Sequence, residues 1–302
     1  MNTAPQGTAI GDTYGAGYIG VIVTAALYGL TTLQTYFYYV HYPDDRFGLK
    51  ALVSLIWVLD SLHMAIVSYS IYYYLVTNYS NPIALGVGHW SLFISIGLNL
   101  VIVCTVQCFF TRKIHILCES KLKWFVTTLI GLSVLAHFAF GIEIIVLMFI
   151  KKELALLSEI TLIAVTPFSI TSILSDIFIA GALCFLLHGR KTGFKNTNTI
   201  VSRLIIYAIN RCLLTSVAAV VELIAFSASP HTLWYLAIDF TIGKLYTNSL
   251  LVSLNGRQSI RDAGSPANAT HLSDLEFGGA STSRVRSDVR LPVSCLHLFY
   301  HY

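Results

Sequence analysis

Charge is what this chain has least of. Charged residues are 11% of its 302 residues, against about 25% in a soluble domain. That scarcity excludes a main body with an ordinary solvated surface. Hydrophobic residues reach 55% and the mean hydropathy is +0.70, as expected of a chain whose solvent is mostly lipid. The familiar soluble catalytic signatures are also missing. There is no Gly-rich phosphate loop, no zinc-type His pair on one helix and no nucleophile elbow. No catalytic residue, metal site or cofactor is therefore expected. The first sixteen residues lack Lys and Arg, so no cleavable signal peptide is visible and the first apolar segment is expected to act as an uncleaved anchor. None of the six cysteines falls in an expected outside loop, so no structural disulfide is expected.

What is present is a series of long apolar runs. A spanning helix needs about 20 mostly apolar residues. Seven segments qualify: 17–41, 48–74, 84–110, 124–150, 157–188, 200–228 and 232–254. The breaks have local causes. Pro43 with Asp44 and Asp45 ends the first segment, Asn78 to Pro82 is a polar turn, and Arg112 to Lys123 is a basic loop. Lys151 to Glu159 mixes both signs, Gly189 and Gly193 flank a polar stretch, and Ser229-Pro230 separates the last two segments. Pro167, inside the fifth, is expected to kink it. The fold expected is an all-α membrane protein with seven transmembrane helices. Residues 1–16 form an outside segment, 17–254 the transmembrane domain and 255–302 a polar tail read as disordered.

Lys and Arg set the direction. With the N-terminus outside and the C-terminus cytoplasmic, fifteen of them fall on the inside and two, Lys151 and Lys152, on the outside. This is a strong positive-inside bias. It also explains the net charge of +4 without nucleic acid, because the basic residues are spread over short loops. Tyr36 to Tyr39 and Tyr72 to Tyr74 sit at segment ends, where such rings anchor to headgroups. Asn78-Tyr79-Ser80 is an outside glycosylation sequon at Asn78, but its closeness to the bilayer argues against modification.

Ionisable side chains within a span cost about 2.5–3.5 kcal/mol on insertion scales, so they usually pair and face other helices. At about 1.5 Å per residue from the cytoplasmic ends, Asp60 and Asp176 lie about 18 Å deep, Arg211 about 17 Å, Lys244 about 15 Å and His137 about 20 Å. Five helices thus contribute to one midplane layer in which two acids can neutralise two bases. His63 shares a helical face with Asp60. The expectation is one buried polar network, joined by Asn99 and Asn210, serving as an ion-pair layer or a ligand site. Glu143, Glu222 and Asp239 lie in the outer half without a basic partner among the spans. Facing one cavity, they would form an acidic vestibule for cations. Lys244 could carry retinal as a Schiff base, but the third and sixth segments lack a matching aromatic pattern.

Four stretches carry a family resemblance. They are Tyr28-Gly29 with Gln34 and Tyr42-Pro43-Asp44; Trp57 with Asp60 and His63; Ser175-Asp176 followed by Arg190-Lys191-Thr192-Gly193-Phe194; and Lys244-Leu245-Tyr246-Thr247-Asn248-Ser249-Leu250-Leu251 with Leu254-Asn255. Together they resemble a set of multi-pass membrane proteins of unknown function from mushroom-forming fungi, domain of unknown function 6534. The resemblance implies a seven-span protein and no assigned activity. It matches Asp60, Asp176 and Lys244 to motif positions and leaves Arg211 unmatched.

Three roles stay open. A receptor or sensor suits seven short-looped spans with a Ser-rich cytoplasmic tail. The outside cysteines and the Asp-Arg-Tyr of common receptors are missing, and Thr111-Arg112-Lys113 follows the third segment instead. A transporter or channel would use the midplane charges. A structural membrane protein would use them only to fix packing. The partners expected are the lipid bilayer, a small ligand or cation and a cytoplasmic signalling protein, at the plasma membrane or an endomembrane.

Overall fold

A computed structural model of the chain describes residues 14–118, 123–152, 164–188, 195–228 and 232–263. They are almost wholly helical: α1 (Tyr14–His41), α2 (Phe47–Tyr72), a short α3 (Pro82–Gly86), α4 (Trp90–Leu117), α5 (Lys123–Lys151), α6 (Thr166–His188), α7 (Lys195–Ala228) and α8 (Trp234–Ala263). A π turn, Tyr73–Thr77, extends α2.

Six of these helices are long and apolar enough to cross a membrane: α1, α2 with its π turn, α4, α5, α6 and the Ala208–Ala228 part of α7. The six share an inside-out character. Their outward positions are large apolar side chains such as Leu132, Leu135, Phe185 and Leu213, all exposed. Their inward positions include Asp60, His63, Gln107, His137 and Asp176, all buried. In water this distribution would be unstable; in lipid it is the expected one. α8 is 30 residues long, about 45 Å at helical rise. It falls short in hydropathy because Asp239, Lys244, Asn248 and several hydroxyls interrupt it. It is nevertheless deeply buried, with Phe240, Lys244, Thr247, Leu250 and Leu251 fully enclosed.

α8 packs against α1, α2, α4 and α7. Its pairing with α1 is parallel. Near the first ends, a Cβ built on Gly20 would lie 2.5 Å from the Ala237 Cα, so glycine allows the two backbones to touch. In the middle, Asn248 Nδ2 donates to Leu27 O at 3.2 Å and to Thr31 Oγ1 at 3.1 Å. Near the far ends, Asn255 Nδ2 donates to Gln34 O at 2.8 Å, and Tyr42 Oη donates to Asn255 O at 2.9 Å.

Several boundaries differ from the sequence expectation. The third long helix begins at Trp90, not 84, because His89 caps it by accepting from Ser91 N. Residues 82–86 form the separate short helix, itself capped by Asn81. The same long helix continues to Leu117, so Arg112 and Lys113 belong to its last turns rather than to a loop. Cations there complement the helix dipole. Pro167 stands near the start of the α-helical part of α6, directly after Ala164 and Val165 in π-helical conformation. α8 extends past 254 to Ala263. The mixed-charge stretch after Lys152, the Ser229-Pro230 link, the Arg190–Phe194 stretch and the tail beyond 263 lie outside the described residues. The aromatic ends divide by role: Tyr36 and Tyr72 are exposed, whereas Tyr38 and Tyr74 are buried. Tyr38 donates to Asp45 Oδ2 at 2.8 Å, and Tyr74 to Val87 O at 2.9 Å.

Candidate functional site

The predicted midplane charges form two separate clusters. In the first, Asp176 of α6 is the hub. Its Oδ1 accepts from Arg211 Nη2 at 3.1 Å and Gln107 Nε2 at 3.4 Å. Its Oδ2 accepts from Thr215 Oγ1 at 2.5 Å and Tyr246 Oη at 2.6 Å. Four donors from α4, α7 and α8 therefore converge on one buried carboxylate, which fills its acceptor capacity. His137 of α5 joins through Gln107, with Nδ1 lying 3.3 Å from Gln107 Oε1. The Arg211 guanidinium lies over the Phe110 ring, 4.2 Å from its centroid. It thus gains a cation–π contact in a buried setting.

In the second cluster, Lys244 Nζ of α8 donates to Asp60 Oδ1 at 2.8 Å and to the Asp60 carbonyl at 2.9 Å. Both side chains are fully enclosed. The ammonium also sits 5.6 Å from the centroid of the Tyr28 ring of α1. His63 is fully buried one turn further along α2 and meets Phe240 edge-on, with ring centroids 6.4 Å apart. Among the described residues, neither of its ring nitrogens has a hydrogen-bond partner, and neither does Asp60 Oδ2.

The clusters are separate for a simple reason. Lys244 and Tyr246 are two positions apart on α8, about 200° around a helix. Lys244 therefore turns to α1 and α2, while Tyr246 turns to α4, α6 and α7. The single network expected from depth alone is thereby corrected to two. Asn210 joins neither, being exposed on α7.

A cavity of about 70 Å³ lies beside the Asp176 cluster, between α4, α5, α6, α7 and α8. At about 10–15 Å³ per water centre, it has room for a few waters or a small molecule. One end is bounded by His137, Thr215 and Tyr246, all members of that cluster. Toward the other end stand Glu222, Asp239 and Tyr235. Between them the wall is mostly apolar, with Leu100, Ile144, Met148, Phe168 and Phe226. Asn99 also lines it, donating from Nδ2 to Asp239 Oδ1 at 2.7 Å and to Asp239 O at 2.9 Å. Gly243 makes this link feasible, since a Cβ there would collide with Asn99 Oδ1. Asp239 Oδ2 has no hydrogen-bond partner among the described residues. Two of the three outer acids thus share one cavity. The third, Glu143, is half-buried on α5 and is not among its lining residues.

Sequence reasoning missed Gln107, Thr215 and Tyr246. Thr215 stands one helical turn from Arg211, which is a usable signal. Gln107 has only its place in an apolar run. Asn78 is half-buried and donates from Nδ2 to Tyr73 O at 3.2 Å, closing the π turn.

Apolar helices of spanning length around buried ion pairs define an integral, multi-pass α-helical membrane protein in contact with the lipid bilayer. Residues 172–259 match the model of a family of unknown function (DUF6534). That range holds Asp176, Arg211, Glu222, Asp239 and Lys244 and the last two of the four stretches that carried the resemblance. No curated protein and no solved structure matches the chain.

Proposed function

We propose that the protein is a seven-span membrane sensor whose ligand is a small organic cation held in the cavity between α4 and α8. The observation that carries this reading is the cavity itself. It joins Glu222 and Asp239, which have no basic partner among the described residues, to polar groups that touch the Asp176–Arg211 pair. A cation entering beside the two carboxylates gains charge complementarity in a poorly screened site. The apolar wall supplies the remaining contact, as in most small-molecule sites. A bound molecule would press on Tyr246 and Thr215, and through them on the contact between α6, α7 and α8.

A seventh span and opposite-sided termini are part of the proposal. The parallel pairing of α1 and α8 supports an odd number of spans. Orientation rests on the basic ends: Arg46, Lys50, Arg112, Lys113 and Lys123 gather at the turns between α1 and α2 and between α4 and α5, on the cytoplasmic side. Glu222 and Asp239 then stand within two turns of the outer ends of α7 and α8.

The test uses purified protein in vesicles, a panel of protonated aliphatic and aromatic amines, and their neutral isosteres. A sensor is expected to be stabilised against heat by some of the amines and by none of the isosteres. It should show no time-dependent accumulation of the amine inside the vesicles. Accumulation that depends on the protein would replace the sensor with a transporter. No stabilisation by any amine would remove the cation site.

A further inference from the structure

A second groove lies on the outside of the bundle, between α2, α4 and α5, with a volume of about 690 Å³. Its basic end carries Arg46, the residue that precedes α2, and Arg112, in the last turns of α4. Both guanidinium-bearing side chains are exposed. The rest of the wall is mainly apolar, with Leu52, Val101, Phe109 and Phe138.

The geometry fits one leaflet. From Arg112 to Val101 along α4 is about 16 Å at helical rise, close to half of a hydrocarbon core of about 30 Å. The arginines therefore stand at headgroup level while the apolar wall runs toward the bilayer centre. Among the described residues no carboxylate lines the groove. Asp45, next to Arg46 in the chain, accepts from Tyr38 Oη at 2.8 Å. Two guanidinium groups at a lipid-facing groove match a phosphate diester and a further anionic group.

We propose that this groove binds one anionic phospholipid from the leaflet on the Arg46 side, its headgroup held by Arg46 and Arg112 and one acyl chain laid along the wall to Val101 and Phe138. The site is distinct from the interior cavity and does not depend on what that cavity holds. A partner helix is the less fitting occupant, because charge is confined to one end and the apolar part lies at hydrocarbon depth. A soluble phosphate would use the arginines but leave the apolar wall uncovered.

The experiment is native mass spectrometry of the full chain released from nanodiscs of phosphatidylcholine containing phosphatidylserine or phosphatidylinositol 4-phosphate. Wild type is expected to retain one anionic lipid and to exchange phosphatidylcholine freely. Each arginine near a charged surface contributes about fivefold, so Arg46→Gln with Arg112→Gln should weaken retention roughly 25-fold. Lys113→Gln removes a charge at the same depth, but its ammonium points to Ser253 of α8 at 3.4 Å, so retention should hold. Val101→Trp fills the wall with both arginines intact and should also expel the lipid. Soluble glycerophosphoserine should not compete. Equal loss in the Lys113 variant, full retention in the Arg46/Arg112 double variant, or competition by the soluble headgroup would overturn the site. All substituted positions except Lys113 are exposed, and a melting temperature equal to wild type confirms that the fold is intact.

Discussion

At the scale of single residues, the two ion pairs are not equivalent. Asp176 has four donors around it, so losing any one leaves three. Asp60 has Lys244 as its charged partner, and its second oxygen has no hydrogen-bond partner among the described residues. Removing one member of a fully buried pair leaves an isolated charge, which costs about 3–5 kcal/mol. Replacing both members by apolar or neutral groups costs far less. Asp60→Asn and Lys244→Met are therefore each expected to lower the melting temperature in detergent sharply, while the double variant recovers most of the loss. Additive losses in the double variant would show that the two side chains act independently. Much of this chemistry was legible beforehand, because a charge in an apolar run is costly and rare. The neutral partners were not. Gln107, Thr215 and Tyr246 are residue types that many spans carry for simple packing, and nothing in the sequence says which way they turn.

At the scale of elements, rotation about the helix axis decides which polar groups meet. Depth could be counted from the ends of the apolar runs, and Asp60 does pair with Lys244 and Asp176 with Arg211. Azimuth could not, since several of these helices are apolar over most of their circumference and give little sense of an inner face. That is why Glu222 and Asp239 share a cavity while Glu143 does not. It is also why one expected layer became two clusters on opposite sides of α8. The close approach of α1 to α8 depends on Gly20, with Ala237 directly opposite. Gly20→Val is expected to push the helices apart and destabilise the protein by about 1–3 kcal/mol, the usual cost of overpacking. Gly29→Val meets open space and should cost much less. Thermal unfolding of both variants checks the contrast; equal losses would mean that intrinsic helix propensity, not packing, sets the effect.

At the scale of the whole molecule, the interior divides into two regions around α8. The face toward α1 and α2 is closed by a direct ion pair, with the helices held in register by Asn248 and Asn255. The face toward α4, α5, α6 and α7 is open enough to hold a guest. α8 is the least apolar of the long helices, and for that reason it falls below the hydropathy of its six neighbours. Its polar residues look inward, so average hydropathy understates how well it suits a bundle interior. The family match over residues 172–259 covers most of α6, all of α7 and α8 through Ser259, the elements that carry the hub carboxylate and both cavity acids.

The most direct measurement is therefore binding of a single cationic probe, chosen from the amine panel, to the wild type and to the Glu222→Gln/Asp239→Asn variant. Binding to the folded state alone raises stability as the logarithm of ligand concentration over Kd. The wild type is expected to show a concentration-dependent rise in melting temperature. The neutralised variant should fold but lose that rise, and Glu143→Gln should keep it. An undiminished rise in the doubly neutralised variant, or its loss in the Glu143 variant, would contradict a cation site in the cavity between α4 and α8.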